Sequence, residues 1–210
     1  MNIQPKTVNI KSLNLNEGNF SISTSNLKKI EEIKRTSNIS INQGLDLPEI
    51  KSDDSLLVAL HKAIDYYNHT GIEQSFIEDT IIEIEGKPIT DIKFTFDTIK
   101  DNLLDYLGKS VSIKTTMACV TNNKVLYIVD SINGVIDFKG DDGYVFDPFF
   151  FINHSGIYKS FAQLDKEGLK HLFNPRNKIL FKINDFLNGD LDINYVNINS
   201  IPKWNGQYQS

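Results

Sequence analysis

Cysteine, surplus basic charge and long apolar runs are all scarce in this sequence. Its 210 residues include one cysteine, Cys119, which cannot form a disulfide within the chain. Lys and Arg number 22 against 27 Asp and Glu, giving a formal net charge of −5, whereas proteins that bind nucleic-acid polymers usually carry a basic surplus. No apolar run approaches the length of about 18 residues that a membrane-spanning helix needs. These shortages argue against internal disulfides, a nucleic-acid polymer as partner and a membrane protein.

The composition favours a folded protein with a substantial core. Apolar residues make up 40% of the chain, and 13 Phe and 8 Tyr are among them, so disorder is not expected. The N-terminal stretch MNIQPKTVNI does not read as a signal peptide, and we therefore expect a cytoplasmic protein. A chain of this length suits one large α/β domain or two small lobes, and we take it as one unit.

The spacing of apolar residues predicts a chain of both helices and strands. Residues 91–107 alternate at first, but their later spacing of three to four and their length favour a helix. Asn26 and Asn174 suit helix N-caps, and Pro175 suits a first helical position. Residues 1–19 suit an edge strand or a loose arm. The predicted strands are 19–24, 75–86, 111–120, 124–130, 132–138, 147–153 and 192–198, and the predicted helices are 26–37, 52–71, 91–107 and 174–187.

The turn between the first predicted strand and helix has the composition of a phosphate cradle. Backbone N–H groups exposed at the start of a helix can meet an anion. Thr24, Ser25 and Asn26 add hydrogen-bond donors to these amides, and Lys28 or Lys29 adds positive charge. The alternative is that Asn26 is a simple helix cap, which by itself explains much of this composition.

Three acidic residues form a second candidate group. Glu49 follows Pro48 in a loop just before a helix, and Glu78 and Asp79 interrupt an apolar strand run. Charged residues rarely lie in such a run unless they are paired or bind a cation. Carboxylate oxygens suit Mg²⁺, which also favours water and phosphate oxygens. The alternative is that Glu78 and Asp79 are solvated at the end of a strand.

Several short motifs in order along residues 20–188 resemble one enzyme family. The matching positions are Thr24, Asn26 and Lys29 in TSNLKKIEE, Glu49 in DLPE, Glu78 and Asp79 in IEDT, Lys93 after GKP, Tyr144, Phe146, Asp147 and Pro148 in DGYVFDPFF, and Lys170 and Arg176 in KHLFNPR. In this order they resemble the inosine triphosphate pyrophosphatase family, enzymes that hydrolyse deaminated purine nucleoside triphosphates. Ser25 and Val145 depart from the family pattern, which has glycine at both positions, and Asn174-Pro175 replaces its Ser-His.

The resemblance implies a fold, an assembly and a reaction. The implied fold is a mixed, elongated central sheet flanked by helices, with two lobes around a nucleotide cleft. Residues 1–19 would be an N-terminal extension, 20–188 the pyrophosphatase-like domain and 189–210 a C-terminal tail. Family members are commonly homodimers and use Mg²⁺. Water attacks the α-phosphorus of the triphosphate and releases nucleoside monophosphate and pyrophosphate.

The resemblance also implies roles for the matching residues. Asp79 would orient or deprotonate the attacking water and Lys29 would assist the chemistry. The implied phosphate ligands are Thr24, Ser25, Asn26, Lys29 and Lys93, the implied Mg²⁺ ligands are Glu49, Glu78 and Asp79, and the implied base pocket comprises Tyr144, Phe146, Asp147, Lys170 and Arg176. Proline offers no N–H and no imidazole, so we expect base preference to have shifted at Pro175. The alternative is a nucleotide-binding or regulatory protein on the same fold with changed base specificity or lost turnover.

Overall fold

The structure, a computed structural model, describes residues 4–13, 20–89, 92–143 and 146–209, without the side chains of residues 92–94 and 209. The described residues divide into two compact units. Unit 1 draws on residues 1–79, 116–129 and 179–210, and unit 2 draws on residues 80–115 and 130–178.

Strands and short or medium-length helices make up both units. The strands are β1 Lys6–Val8, β2 Ser21–Thr24, β3 Ser40–Gln43, β4 Glu49–Ile50, β5 Ser75–Ile84, β6 Lys87–Pro88, β7 Ser110–Thr121, β8 Lys124–Ile136, β9 Phe150–His154, β10 Ile157–Ser160, β11 Ile193–Asn197 and β12 Tyr208–Gln209. The helices are α1 Leu27–Thr36, α2 Ser55–Thr70, α3 Ile92–Asp101, α4 Leu103–Tyr106, α5 Phe161–Lys166, α6 Lys170–Phe173 and α7 Pro175–Asn188, with 3₁₀ turns at Ile10–Ser12 and Ile198–Ser200. No helix among the described residues is both long and apolar enough to cross a bilayer.

The sheet is mixed, as the resemblance implied. In unit 1 the strand order is β1-β11-β8-β7-β5-β2-β3. Strand β2 runs parallel to both β3 and β5, whereas β11 runs antiparallel to both β1 and β8. In unit 2 the antiparallel pairs are β5 with β6, β8 with β9, and β9 with β10. The expected mixed α/β architecture is therefore confirmed.

The chain ends supply two strand pairs in unit 1. Val8 of β1 lies opposite Ile193 of β11, so Lys6–Val8 forms the edge strand that was one of the two expectations for the N-terminal residues. Near the other end of the chain, Tyr208 of β12 lies opposite Ile50 of β4 in a separate two-stranded sheet. Residues 1–3, 14–19 and 210 lie outside the described residues, and the division into extension, domain and tail stays a prediction.

Most predicted helices form, and one divides. The Asn26 side chain caps α1, and α2 begins at its cap Asp54 and ends at Gly71, whose φ of 69° lies in the left-handed region that glycine favours. The prediction of one continuous helix over residues 91–107 is wrong. Asn102 (φ −126°, ψ 38°) leaves helical geometry and separates α3 from α4.

Two strand predictions are also corrected. The predicted strands 124–130 and 132–138 form one continuous strand, β8, which ends at Ile136. The predicted strand 147–153 begins only at Phe150, because the amides of Phe149 and Phe150 both donate to the carbonyl of Phe146 and close a turn there.

Buried apolar clusters fix the elements that carry the candidate residues. In unit 1, Ile33 of α1 packs with Ile22, Phe76 and the α7 residue Ile183, and all four are fully buried. A second cluster of unit 1 holds α2 against β4 and the sheet. These two cores position the end of β2, the start of α1, β4 and α2, from which the candidate site is built.

Candidate functional site

The turn between β2 and α1 is closed by its own side chains. Asn26 Oδ1 accepts the N–H groups of Lys28 at 3.0 Å and Lys29 at 3.3 Å. Thr24 Oγ1 accepts the N–H of Asn26 at 3.2 Å. The cap interpretation of Asn26 is therefore confirmed. These amides are therefore satisfied inside the turn, and the phosphate contact predicted for it stays a prediction.

A glycine allows the loop after β3 to lie against this turn. A Cβ on Gly44 would come within 2.6 Å of the Ser25 backbone nitrogen and 2.7 Å of Thr24 Cα. Backbone atoms cannot move out of the way as a flexible side chain can, so position 44 requires glycine. Ser25 replaces the glycine of the family pattern, while Gly44 provides the close backbone approach from the other side.

Lys29 leaves the first turn of α1 and pairs with a buried carboxylate. Its Nζ lies 3.0 Å from Oε1 of Glu78 on β5. The Glu78 side chain is 3% exposed and that of Lys29 is 28% exposed. The predicted alternative of a solvated Glu78 is therefore wrong, because a carboxylate this deep is held by an ion pair.

Lys62 joins the other two predicted carboxylates, and the sequence analysis did not identify it. Its Nζ contacts Glu49 Oε1 and lies 3.5 Å from Asp79 Oδ1. It stands on α2 between His61 and Ala63, both of which are buried. A lone cation within a buried helical stretch was the signal available in the sequence, but its partners depend on how β4 and β5 lie against α2.

Glu49 and Asp79 share the ammonium group of Lys62, and this shared contact affects the pKa of both Asp79 and Lys62. Burial raises the pKa of Asp79 above its usual 3.8; Lys62 opposes this rise and the neighbouring Glu49 adds to it. Burial alone would lower the pKa of Lys62, but Asp79 and Glu49 together outweigh it and raise that pKa above 10.5. The cluster therefore has one carboxylate in excess and keeps Lys62 protonated.

A small polar cavity connects the turn with these ion pairs. Its volume is about 150 Å³, and its lining includes Ser25, Lys29, Glu49, Lys62 and Glu78. Small-molecule sites typically measure about 300–1,000 Å³. The cavity therefore suits part of a ligand, such as phosphate groups, better than a whole nucleotide.

Hydroxyl groups form part of the cavity wall. Ser23 Oγ donates to the Tyr66 hydroxyl at 2.8 Å and lies 2.6 Å from Ser75 Oγ. Ser23 and Tyr66 line the cavity, and all three residues are buried. These hydrogen bonds fix the wall beneath the lysines, and no sequence motif indicated them.

A larger cavity of about 460 Å³ adjoins the same turn between α1 and β3. Its lining combines Thr24 and Ser25 with Lys34 and includes no carboxylate. The smaller cavity is the better candidate site because Lys29 and Glu78 line it together with Lys62 and Glu49.

The predicted Mg²⁺ ligands are near lysines in this structure. Across the described residues, no group of three or more His, Cys, Asp or Glu side chains is arranged to hold a metal ion. Glu49 and Asp79 converge on Lys62, and Glu78 meets Lys29. Their oxygens are nonetheless the donors that Mg²⁺ prefers, and the excess carboxylate and the raised pKa of Asp79 both favour a further cation. The donor chemistry therefore fits Mg²⁺.

In unit 2 the structure joins two of the predicted base-pocket residues. Lys170 Nζ lies 2.5 Å from Asp147 Oδ2, with side chains 21% and 16% exposed. The Ala162 amide donates to the Asp147 carbonyl at 3.1 Å, which ties this segment to α5. Lys170 also lies over the Phe161 ring at 5.7 Å.

The Phe146 ring belongs to the core of unit 2. It is 5% exposed and stacks against Phe96 with ring centroids 4.8 Å apart, and against Phe150 at 6.0 Å. Its assignment to the base pocket stays a prediction. Tyr144 lies outside the described residues, as does the side chain of Lys93.

The altered segment before Arg176 starts α7 as predicted. Asn174 Oδ1 accepts the Arg176 N–H at 3.0 Å, and Pro175 is buried at the first helical position. Asn174-Pro175 therefore serves the helix start, while Arg176 is half-buried.

Comparison with known proteins agrees with this architecture. The Ham1 family model matches residues 20–185. The solved structure of a HAM1 protein from Coxiella burnetii is similar to the chain, with a TM-score of 0.56 and 20% sequence identity over 80% of this chain and 98% of that one. A comparison with curated protein sequences finds no match. The chain belongs to the Ham1 family, the inosine triphosphate pyrophosphatase family that its motifs resemble, whose members are nucleotide pyrophosphatases.

Proposed function

We propose that this protein is a Mg²⁺-dependent nucleoside triphosphate pyrophosphatase that hydrolyses a non-standard purine triphosphate to monophosphate and pyrophosphate. The observation that carries the proposal is the cavity of unit 1, which is lined by the Lys29–Glu78 pair and by Lys62 with Glu49. Asp79 adjoins this lining through its ion pair with Lys62. Charge builds on phosphoryl oxygens during such a reaction, so lysines and a metal are the groups it requires.

The phosphate ligands come from the turn and from α2. Ser25 and Lys29 line the cavity, as do Thr24 and Asn26 beside them. Lys62 joins this set, because its ammonium group faces the same cavity and stays protonated. Lys93 keeps its proposed place as a phosphate ligand.

Asp79 is the proposed general base. A carboxylate with a raised pKa holds a proton more readily near neutral pH, which suits it to accept one from water. As that proton moves to the Asp79 carboxylate, the water oxygen forms a bond to the α-phosphorus. The bond from the α-phosphorus to the oxygen shared with the β-phosphate breaks, and its electron pair leaves with pyrophosphate.

Glu49, Glu78 and Asp79 are the proposed Mg²⁺ ligands, directly or through water. When bound, Mg²⁺ supplies positive charge that neutralises the phosphate oxygens. Glu49 is the most exposed of the three side chains, at 30%, and is the best placed to exchange Lys62 for another cation.

The remaining assignments extend the proposal to base recognition and to assembly. Tyr144, Phe146, Asp147, Lys170 and Arg176 form the proposed base-recognition set. We further propose a cytoplasmic homodimer in which residues 20–188 form the catalytic domain. Light scattering during size-exclusion chromatography checks the dimer, and a peak near the chain mass of 23.9 kDa at micromolar concentration would contradict it.

The test is pyrophosphate release from inosine, xanthosine, adenosine, guanosine and pyrimidine triphosphates with and without Mg²⁺. Release that depends on Mg²⁺ and is fastest with a non-standard purine supports the proposal. Tight nucleotide binding without release from any substrate would instead identify a nucleotide-binding protein on this fold. The Glu31→Gln variant is a matched control, because this α1 carboxylate is exposed and does not line the cavity.

A further inference from the structure

The strand that carries Glu49 is held by the C-terminal segment. Among the residues that the structure describes, β4 has β12 as its one strand partner, with Glu49 opposite Gln209 and Ile50 opposite Tyr208. The Lys51 amide continues the pairing and donates to the Gln207 carbonyl at 2.9 Å. The backbone on both sides of Ile50 is thus fixed by residues beyond the segment that the family model matches.

Apolar packing anchors the same segment. Ile50 is 1% exposed and shares a cluster with Ile201 and Trp204. The Trp204 indole Nε1–H donates to the Gln207 carbonyl at 2.9 Å and closes the turn that brings β12 back to β4. A Cβ on Gly206 would lie 2.5 Å from the Trp204 ring, so this turn requires glycine beside a rigid side chain.

The segment also contacts the helix that carries Lys62. His61 Nε2–H donates to the Pro202 carbonyl at 3.0 Å, and His61 directly precedes Lys62 on α2. His61 is 9% exposed, which makes this hydrogen bond costly to lose. One short stretch of chain therefore holds β4 through its backbone and α2 through His61.

We propose that residues 201–209 form a strap that positions Glu49 and Lys62 and thereby sets the affinity of the site for Mg²⁺. The inference rests on the proposed function for its metal, while its contacts stand on the structure alone. The strap acts through Glu49 and Lys62 and is a positioning element. Groups that orient metal ligands typically change metal affinity or activity by about 10–100-fold when they are removed.

The first experiment compares the full chain with a chain that ends at Ile201. Hydrogen exchange measures how fast the Lys51 amide exchanges with solvent. Titration calorimetry of the nucleotide-free protein measures the Mg²⁺ concentration for half-saturation. Shortening should speed exchange at Lys51 and raise the Mg²⁺ concentration for half-saturation roughly tenfold or more. A chain lacking residues 1–8 is the matched control, because β1 pairs with β11 and not with β4, and it should leave both readings unchanged.

Point variants keep the test decisive if the shortened chain does not fold. Gly206→Ala pushes on the Trp204 ring and His61→Leu removes the donor to Pro202, and both should raise the Mg²⁺ requirement. His61→Gln retains a hydrogen-bond donor, so its Mg²⁺ requirement should be lower than that of His61→Leu and close to that of the unmodified protein. A purely structural role would lower the fraction of folded protein but leave the Mg²⁺ concentration for half-saturation unchanged.

Failure of the strap and failure of the proposed function give different results. Absence of pyrophosphate release from the full chain would overturn the function, while Lys51 exchange and Mg²⁺ binding would still test the strap. Unchanged Mg²⁺ binding in folded Gly206→Ala and His61→Leu proteins, or a Lys51 amide that stays protected after shortening, would overturn the strap. A full chain that binds no Mg²⁺ would overturn it as well.

Discussion

Each unit contains a lysine–carboxylate group that includes residues predicted from the sequence, but the two groups differ in their balance of charge. In unit 1 the ammonium group of Lys62 serves Glu49 and Asp79 together. In unit 2 the ammonium group of Lys170 lies against one carboxylate, that of Asp147. Burial raises the pKa of Asp79 and the neighbouring Glu49 adds to the rise, so that the opposing effect of Lys62 and Lys29 does not offset it.

The two groups therefore differ in how strongly they favour a further cation: the Lys62 group in unit 1 has a carboxylate in excess, whereas the charges of Lys170 and Asp147 in unit 2 balance. The Lys170 ammonium and the Asp147 carboxylate lie 2.5 Å apart with opposite charges that balance, and such a pair holds a segment in place. Two carboxylates on one ammonium leave a negative charge in excess, which favours a metal or a protonated acid. Perturbed charges of this kind tend to mark functional sites.

The largest expected effect tests the excess carboxylate directly. Asp79→Asn keeps the shape of the side chain and removes the charge that holds metal and accepts a proton. Turnover should fall roughly a hundredfold or more, and the fold should survive because the amide can still hydrogen-bond. Steady-state pyrophosphate release with circular dichroism as the folding check measures this. Near-normal rates in both Asp79→Asn and Glu49→Gln with every active substrate would refute the assignment.

The next effect tests the segment of unit 2 that departs from the family pattern. Asn174→Ser with Pro175→His restores an imidazole that can hydrogen-bond a base. One such bond is worth about 1–3 kcal/mol, so the ratio of kcat/KM for inosine over adenosine triphosphate should rise roughly tenfold to a hundredfold. Strong inosine selectivity in the unmodified protein, unchanged by the double substitution, would show that this segment does not recognise the base.

A pair of lysine variants sharpens the contrast between the two groups. Lys62→Met and Lys170→Met should each lower the free energy of unfolding by about 1–3 kcal/mol, because each removes a cation that contacts a mostly buried carboxylate. Mg²⁺ should recover part of the loss in Lys62→Met, where two carboxylates remain, and none in Lys170→Met. Urea unfolding with and without Mg²⁺ compares them, and an equal response of the two variants would show that the two groups do not differ in their affinity for a further cation.

The smallest effect is the pH dependence that the raised pKa of Asp79 implies. A folded-state pKa above 3.8 means that the folded protein holds this proton more tightly, so ionisation of Asp79 costs stability as pH rises from about 3.8 through the folded value. The pKa of Lys62 is raised above 10.5, so its contribution to the free energy of unfolding stays constant below that pH. Asp79→Asn should therefore gain stability relative to the unmodified protein between pH 4 and 8.

Urea unfolding at each pH gives this difference, and the other titrating groups largely cancel in it. A relative loss of stability in Asp79→Asn with rising pH would mean that Lys62 satisfies Asp79 fully.

The sequence predicted what is local and missed what depends on long-range pairing. Asn26 as a cap and Pro175 as a helix start follow from neighbouring residues, and both are confirmed. The motifs also predicted three carboxylates that the structure finds paired with lysines. Lys62 was missed because an interior helix lysine has no partner until β4 and β5 pack against its helix.

Aromatic residues also show that a sequence motif does not report how deeply a side chain is buried. Phe146 matches a family motif, its ring stacks against Phe96 and Phe150, and its assignment to the base pocket stays a prediction. A motif gives the order of residues along the chain, whereas burial depends on which rings the fold brings together. The β4–β12 pair was missed for a related reason, since two-residue strands carry no periodic pattern to detect.

The pairing of β1 with β11 has a consequence for biosynthesis. Val8 leaves the ribosome long before its partner Ile193, because most of the sequence lies between them. Such distant pairing raises contact order and delays the last strand of the sheet. Until then β11 is missing as well, and the edge of β8 stays open to other chains during synthesis. A nascent chain stalled before residue 193 should therefore bind chaperones more strongly than one that already includes β11.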